Sequence, residues 1–522
     1  MTSSTLSNLS RTKATGPGYA APKLLIIMVG LPARGKSYIV RKLSRYLSWL
    51  QYEARVFNVG ERRRATAHVE QSGEKAEESR LGRGLFSSSA AFFDPTNPDL
   101  VSARDRIALK TLDELLDWLS GQESSSIGIL DATNSTRKRH QTVLSHIRRK
   151  TSTLNEVLFI ESCCFDQDIL EHNFRLKLNG PDYRSQDPDE ALRDFRQRVA
   201  FYEKSYVPLG EAEEQDKIPY LQVIDVGRKI NAHLIQGFLS SQVVEYMLNF
   251  NLSERQIWIF CGGESIDDSV GRIGRRSDLT ENGQQYAASL VRFIHEERGR
   301  WEKNRRSHRP QNRDSTKFSV GDPTEKQDAL LVGSPTGKNL PGPLDFCIWT
   351  STMPQTTQTA SGFCGELFAK SQMKALDDLN AGDMAGLTFE EIAMLQPAVY
   401  AARKQHKLLY RWPGLGGECY VDLIHRLRPV ILELERRKDH VLLVTHRAVV
   451  RVLLSYFLDL RRDDLAEMVI PKNWGFSLEP VCISPWKAGS REGLLLTRAR
   501  FRHRTASTSV LIPINPNQAP SA

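Results

Sequence analysis

The stretch Gly30-Leu-Pro-Ala-Arg-Gly-Lys-Ser37 lies between an apolar run, Leu24–Val29, and an amphipathic helical pattern from Lys36 to about Leu50. It fits G-x-x-x-x-G-K-[ST], a phosphate-binding loop, in the strand-then-helix setting that this loop needs. Two glycines let the backbone curl until its N–H groups converge on phosphate oxygens, and the positive end of the following helix faces the same anion. Lys36 is placed to reach the terminal phosphates of a nucleotide and Ser37 to hold Mg²⁺. A glycine-containing turn that binds nothing is the plainer alternative, but it does not require four fixed positions.

The loop belongs to a chain of 522 residues, long enough for more than one domain. Hydrophobic residues make up 40 %, and no apolar run approaches the roughly 20 residues of a membrane span. The first residues are rich in Ser and Thr without an apolar segment, so residues 1–22 read as a disordered tail and not a secretory signal. Seven scattered cysteines form neither a disulfide framework nor a zinc pattern, which points to a cytoplasmic protein. The net charge of +9 suits an anionic partner. Much of it is local, as in Arg298–Arg313. Nucleic-acid recognition motifs are missing, so phosphorylated metabolites explain the charge better.

From Lys23 to about Gly227 short apolar runs alternate with helical patterns, which predicts an α/β domain with a parallel sheet covered on both faces. The expected strands are 24–29, 55–59, 127–130, 157–160 and 221–226, with helices over 100–119 and 190–206. Ligands gather at the carboxyl ends of such strands. There the run Ile127-Gly-Ile-Leu-Asp131 delivers a carboxylate able to position Mg²⁺ or an attacking hydroxyl. An Asp that merely caps a helix would look identical. Arginines follow the second strand at Arg62–Arg64 and the Asp131 motif at Arg137–Arg139, Arg104 sits in a helix, and Arg198 and Tyr202 share a helical face. Their planar forks suit phosphate, although any one alone reads as a surface charge.

Several motifs together resemble a known family. Gly30-Leu-Pro-Ala-Arg-Gly-Lys-Ser-Tyr38, Val56-Phe-Asn-Val-Gly60, Phe92-Phe93, Asp131-Ala-Thr-Asn-Ser-Thr-Arg137, Glu161-Ser162 and Pro181-Asp-Tyr183 are similar to the kinase half of 6-phosphofructo-2-kinase/fructose-2,6-bisphosphatase. The resemblance implies that ATP is bound by Gly30, Leu31, Pro32, Ala33, Arg34, Gly35, Lys36, Ser37 and Tyr38, with Asn173 and Lys177. It implies that fructose 6-phosphate is held by Arg63, Arg104, Thr133, Arg139, Lys177, Arg198 and Tyr202. Lys36, Asp131 and Cys164 would be catalytic, and Ser37 and Asp131 would ligate Mg²⁺. Cys164 has no obvious chemistry, and a small buried hydrophobe is an equal reading. The stretch Asn173–Pro181 is one residue shorter than in the family. The family pattern also implies a homodimer formed through the kinase halves.

The alternation restarts at Gln256. Strands are expected at 257–260, 346–350 and 441–445, with helices over 283–297, from Thr356, over 420–437 and over 449–458. Residues 299–343 are basic, polar and aperiodic, and read as a disordered insertion. Gly271-Arg-Ile-Gly274, Trp349-Thr-Ser351, Gln358-Thr-Ala360, Tyr410-Arg-Trp-Pro-Gly414 and Thr445-His-Arg-Ala-Val449 resemble the family's histidine-phosphatase half. The expected organisation is therefore a P-loop NTPase-like parallel-sheet domain over 23–250. A histidine-phosphatase-like (phosphoglycerate-mutase-like) α/β domain follows over 256–504, and a disordered tail over 505–522. The family's Arg-His-Gly-Glu motif, whose His is the nucleophile, is here Cys261-Gly-Gly-Glu264. The acid/base Glu aligns with Ala385 and a phosphate-holding Arg with Gln355, leaving His446 from the catalytic set.

Glycine has no side chain to attack phosphorus. The resemblance therefore implies a fungal-type member with a degenerate bisphosphatase half. That member would transfer phosphate from ATP to the 2-hydroxyl of fructose 6-phosphate and would not hydrolyse the product. Arg272, Arg275, Arg276, Arg447 and Arg451 leave charge enough for residual phosphosugar binding. A nucleotide-binding regulator with both sites silent is the second reading, and a nucleic-acid 5′-kinase the third. Neither nucleic acid nor membrane is expected as a partner.

Overall fold

The computed structural model describes residues 21–71, 89–151, 156–184, 186–251, 255–274, 276–307, 346–471, 475–479 and 495–496. The expected insertion beyond Ser307, the tails and Arg275 lie outside the described residues.

β1 (Lys23–Val29) is buried along almost its whole length, and its side chains divide by parity. Leu24, Ile26 and Met28 face one apolar cluster, while Leu25, Ile27 and Val29 face another. An unbroken apolar run is what a strand covered on both faces requires. Around it lie β2 (Glu53–Asn58), β3 (Ser126–Asp131), β4 (Glu156–Cys163), β5 (Tyr220–Ile224) and β6 (Lys229–His233). The sheet order is β2-β3-β1-β4-β5-β6, parallel except for β6. The chain leaves β1 to one side of the sheet and β4 to the other, so the crevice for a ligand opens between their ends.

Two local expectations change. The strand expected over 221–226 stops at Ile224, because Asp225 and Val226 take left-handed backbone (φ 44° and 57°) and turn the chain into β6. β6 carries little apolar signal and was not expected.

The second sheet contains β7 (Ile257–Cys261), β8 (Phe346–Thr350), β9 (Ala369–Gln372), β10 (His440–Thr445), β11 (Gly475–Glu479) and β12 (Leu495–Leu496), in the order β12-β11-β7-β10-β8-β9. β7, β10, β8 and β9 are parallel, β11 pairs antiparallel with β7, and β12 pairs antiparallel with β11. The helix expected over 283–297 extends over Glu281–Ser307, so residues 299–307 are helical and not part of a disordered insertion. The helix expected from Thr356 is a short one, Pro354–Thr359.

The two sheets share a core. One cluster runs from the even side of β1 through the helix Lys36–Trp49 and the helix Phe238–Leu248 into the helices Tyr420–Arg436 and Arg447–Leu458. No described helix is long and apolar enough to cross a membrane.

The other face of the first sheet is closed by the helix Pro98–Ser120, capped by the Asn97 side chain and started by a proline. This helix lies so close to β3 that a Cβ on Gly128 would fall 2.6 Å from Leu115 Cδ2. Gly128→Ala is therefore expected to cost about 1–3 kcal/mol through overpacking. Urea unfolding checks this, and an unchanged midpoint would contradict the packing.

Candidate active site

The loop after β1 is held in an unusual backbone path by its two neighbours in the sheet. Gly30, Ala33 and Gly35 have φ of 129°, 61° and 92°. The Gly30 N–H donates to the Thr133 carbonyl at 2.9 Å, which ties the loop to the turn after β3. On the β4 side, a Cβ on Gly30 would stand 2.6 Å from the Ser162 carbonyl oxygen, so only glycine fits. The Ser162 hydroxyl donates to the Arg34 carbonyl, and Asn173 Nδ2 donates to the Ala33 carbonyl at 2.9 Å.

Lys36 opens the helix Lys36–Trp49, and its ammonium donates to the Gly30 and Leu31 carbonyls at 2.7 and 2.6 Å. Burial lowers its pKa to about 7; Asp131 opposes the shift, while Lys177, Arg198 and Arg34 add to it. Asp131, at the end of β3, accepts from Ser37 Oγ at 3.3 Å and from Asn58 Nδ2 at 2.7 Å. Burial raises its pKa, against the pull of Lys36 and Lys177. Lys177 is open to solvent, yet the protein around it lowers its pKa while Asp131 raises it. The one-residue shortening before Pro181 therefore leaves Lys177 beside the carboxylate.

The expected sugar-phosphate residues line up next to this cluster. Asp182 accepts from Arg63 Nη2 with both oxygens at 2.8 Å and from Arg198 Nη1 at 3.0 Å. The Arg198 guanidinium lies 3.9 Å from the Phe93 ring centroid, and the Tyr202 ring 5.5 Å from the same ring. Arg104 donates to the Phe92 carbonyl at 2.6 Å, and Arg139 is paired with Asp105. Tyr202 acts electrostatically on Arg63, Arg104, Arg139 and Arg198, so it sits among all four.

Two expected residues stand apart. The Tyr38 ring is turned away from the loop, 5.4 Å from Phe250 in the core shared by the two sheets. Cys164 is buried, with its thiol 3.9 Å from the Asp166 carbonyl. Burial and Asp225 push its pKa up, against the pull of Arg34. It fits the reading as a neutral, packed thiol. Asn58 and Asp182 lie within the quoted motifs Val56–Gly60 and Pro181–Tyr183 without a role assigned from sequence, and Asp105 lies outside any motif; the arginine partners of Asp182 are distant in sequence.

The donor set fits a polyphosphate and a metal. Arg34 Nη1 and Arg198 Nε are buried donors without a partner. They flank a loop whose N–H groups are gathered by positive φ, and such donors need an acceptor. Ser37 and Asp131 provide the hard oxygens that Mg²⁺ takes.

At the ends of β7, β8 and β10 the second sheet presents a different set. Gly262 follows Cys261 and donates to the Thr445 carbonyl at 2.8 Å. A Cβ there would lie 3.3 Å from Thr356 Cγ2, so the position could hold a side chain with a small adjustment. His446 Nε2 is 2.8 Å from Ser351 Oγ, and burial lowers its pKa, which keeps the ring neutral. Burial also pushes the Cys261 thiol up to about 12. Gln355 Oε1 is buried without a partner. Ala385 faces Gly274, its Cβ 3.4 Å from where a Gly274 Cβ would stand. Arg276 donates to the Thr352 carbonyl at 2.7 Å, and Arg451 to the Met468 carbonyl at 2.6 Å and the Tyr420 hydroxyl at 2.9 Å. Arg272 and Arg447 are exposed.

Residues 11–254 match the 6-phosphofructo-2-kinase family, and residues 336–478 match the histidine phosphatase superfamily, branch 1. A probable 6-phosphofructo-2-kinase of Schizosaccharomyces pombe is 41 % identical over 91 % of this chain and 70 % of its own length. Saccharomyces cerevisiae 6-phosphofructo-2-kinase 1 is 44 % identical over 88 % of this chain, which spans 50 % of that relative. Homo sapiens 6-phosphofructo-2-kinase/fructose-2,6-bisphosphatase 3 is 34 % identical over 90 % of this chain and 77 % of its own length.

Asp182 carries a pH signature. Burial alone would raise its pKa, but Arg63 and Arg198 outweigh that and hold the carboxyl below its usual range. Its contribution is therefore full above the unfolded-chain value of about 3.9 and is lost as pH falls through the lower folded-state value. Asp182→Asn is expected to cost about 3 kcal/mol at pH 7, since it strands buried guanidiniums. Urea midpoints of variant and wild type should converge below about pH 4. A difference that stays constant with pH would contradict this role.

Proposed function

The chain belongs to the 6-phosphofructo-2-kinase family, and from that premise we propose how its two sites are used. Function in the first domain is the transfer of a phosphoryl group from ATP to fructose 6-phosphate. The reading rests above all on one observation, the convergence of Lys36, Asp131, Lys177, Arg198 and Arg63 around a phosphate loop.

The loop N–H groups and Lys36 bind the nucleotide phosphates, and Ser37 and Asp131 hold Mg²⁺. Bound there, Mg²⁺ offsets charge on the phosphoryl oxygens. Arg63, Arg104, Thr133, Arg139, Lys177, Arg198 and Tyr202 hold the sugar phosphate so that its 2-hydroxyl faces the γ-phosphorus. The hydroxyl oxygen bonds to that phosphorus as the bond to the β-phosphate oxygen breaks, and ADP leaves. Asp131 either positions the metal or takes the hydroxyl proton, the two roles open to a carboxylate at this strand end. Catalysis then rests on alignment and charge neutralisation, as phosphoryl transfer requires. Cys164 serves as packing beside the site. The chain acts in the cytoplasm, in keeping with described cysteines that form no disulfide with one another.

The second domain is read as a phosphatase fold without phosphatase chemistry. Gly262 and Ala385 provide neither nucleophile nor proton donor, and His446 is held neutral by burial. Relatives at 38–44 % identity are named as the kinase alone, whereas the Homo sapiens relative at 34 % carries both activities in its name. The exposed Arg272 and Arg447 leave room for residual phosphosugar binding. The family likeness further favours a homodimer through the kinase halves.

With MgATP and fructose 6-phosphate, the protein is expected to form an acid-labile bisphosphate, and Lys36→Ala to stay at background. Tight MgATP binding without product would instead support a silent nucleotide-binding regulator. Gly262→His is expected to fold but not to hydrolyse fructose 2,6-bisphosphate, because the proton donor is still missing. Turnover by that variant would show that the loss at position 262 alone silenced the domain.

A further inference from the structure

The helix that begins with the phosphate loop is gripped farther along by the second domain. Lys42, Arg45 and Trp49 stand at i, i+3 and i+7 of the helix Lys36–Trp49 and share one face. Lys42 Nζ lies 2.7 and 3.0 Å from the two oxygens of Glu435, in the last turns of the helix Tyr420–Arg436. Arg45 Nη2 is 3.5 Å from the same carboxylate, and its guanidinium lies 4.6 Å from the Tyr456 ring centroid. The Trp49 indole N–H donates to the Val452 carbonyl at 3.1 Å. Tyr456 donates to Glu435 at 2.5 Å, and the Tyr246 hydroxyl lies 3.1 Å from that of Tyr456.

All three charges at this contact are withdrawn from water: Glu435 is 2 % exposed, Lys42 7 % and Arg45 8 %. Desolvation offsets much of the attraction in such a cluster, so it adds little to adhesion beyond what the apolar core already provides. What it does fix is geometry, because the attraction survives only when carboxylate, ammonium and guanidinium keep their places. Lys42 and Lys36 are joined by a continuous helix, about 9 Å apart at about 1.5 Å per residue. A slip of the helix at Lys42 therefore reaches the loop undiminished.

We propose that Glu435 is a positioning residue for the phosphate loop, and that the second domain is retained to hold the nucleotide-binding helix in register. The sugar-phosphate arginines Arg63, Arg104 and Arg139 lie on other helices and are not gripped in this way. The effect is thus specific to the nucleotide. The inference rests on the kinase reading only for its turnover readout, since nucleotide affinity tests it independently.

Calorimetry with MgATP on the full chain tests the proposal. Glu435→Gln is expected to weaken MgATP binding at least tenfold and to lower kcat by about 10- to 100-fold, the range a misplacement near 1 Å produces. The KM for fructose 6-phosphate should stay within about twofold, as uniform misfolding would not allow. Lys42→Met combined with Glu435→Gln relieves the unpaired buried charge but does not rebuild the contact, so it should regain thermal stability while MgATP affinity stays at least about threefold weaker than wild type. If Glu435→Gln does not fold, Lys42→Met carries the test, with an expected loss of at least about threefold in MgATP affinity. Wild-type affinity and kcat in the folded variant would overturn the proposal, even if its thermal midpoint falls. So would equal losses for both ligands. Weakened MgATP binding in a protein that makes no product would support the positioning role and reject the kinase reading alone.

Discussion

The Gly30 N–H bond to the Thr133 carbonyl is a small interaction on which much of the first domain depends. It fastens the loop after β1 to the turn after β3, while the Ser162 carbonyl leaves room for no side chain on the other side. Three consecutive positions of the sheet, β3, β1 and β4, thereby meet at one point. Asp131, Lys36 and the unpartnered Arg34 donor arrive there because their strands do. The loop could not take its left-handed path alone; the sheet imposes it.

Around that point the protein gathers far more positive than negative charge. Asp131 and Asp182 are the carboxylates placed among Lys36, Lys177, Arg63 and Arg198. Such a cluster repels itself, and Lys177, Arg198 and Arg34 add to the burial that lowers the pKa of Lys36. An anionic ligand relieves it, so the charge is strain held ready for phosphate. The second site shows the opposite design. Arg272 and Arg447 are exposed, Arg276 and Arg451 are tied to protein acceptors, burial lowers the pKa of His446, and Gly262 at the end of β7 offers no side chain.

The parallel sheet and the loop were legible because each is written in a local code. Apolar runs mark the strands buried on both faces, and fixed residue types mark the phosphate loop. β6 was not legible: Lys229-Ile-Asn-Ala-His233 is an edge strand formed by pairing with β5, with little apolar pattern of its own. The extension of a helix to Ser307 was hidden by its dense charge, which resembles a solvated loop. In the site, the arginines could be named only through the family resemblance, since any one alone reads as a surface charge. Their organiser Asp182 could not, since its link to Arg63 spans 119 residues and exists only in the folded chain. The turn of Tyr38 toward Phe250 is likewise a tertiary fact, set by the core that the two sheets share.

That shared core binds the second sheet to the first domain whatever chemistry its own strand ends perform. Apolar packing from β1 into the helices Tyr420–Arg436 and Arg447–Leu458 makes the second sheet part of the first domain's support. The central claim is that one working site makes a product which the other no longer destroys. A time course with γ-labelled ATP and limiting nucleotide measures both halves at once. Label should pass into fructose 2,6-bisphosphate and remain there after ATP is exhausted. A rise followed by release of labelled inorganic phosphate, dependent on the enzyme, would contradict it.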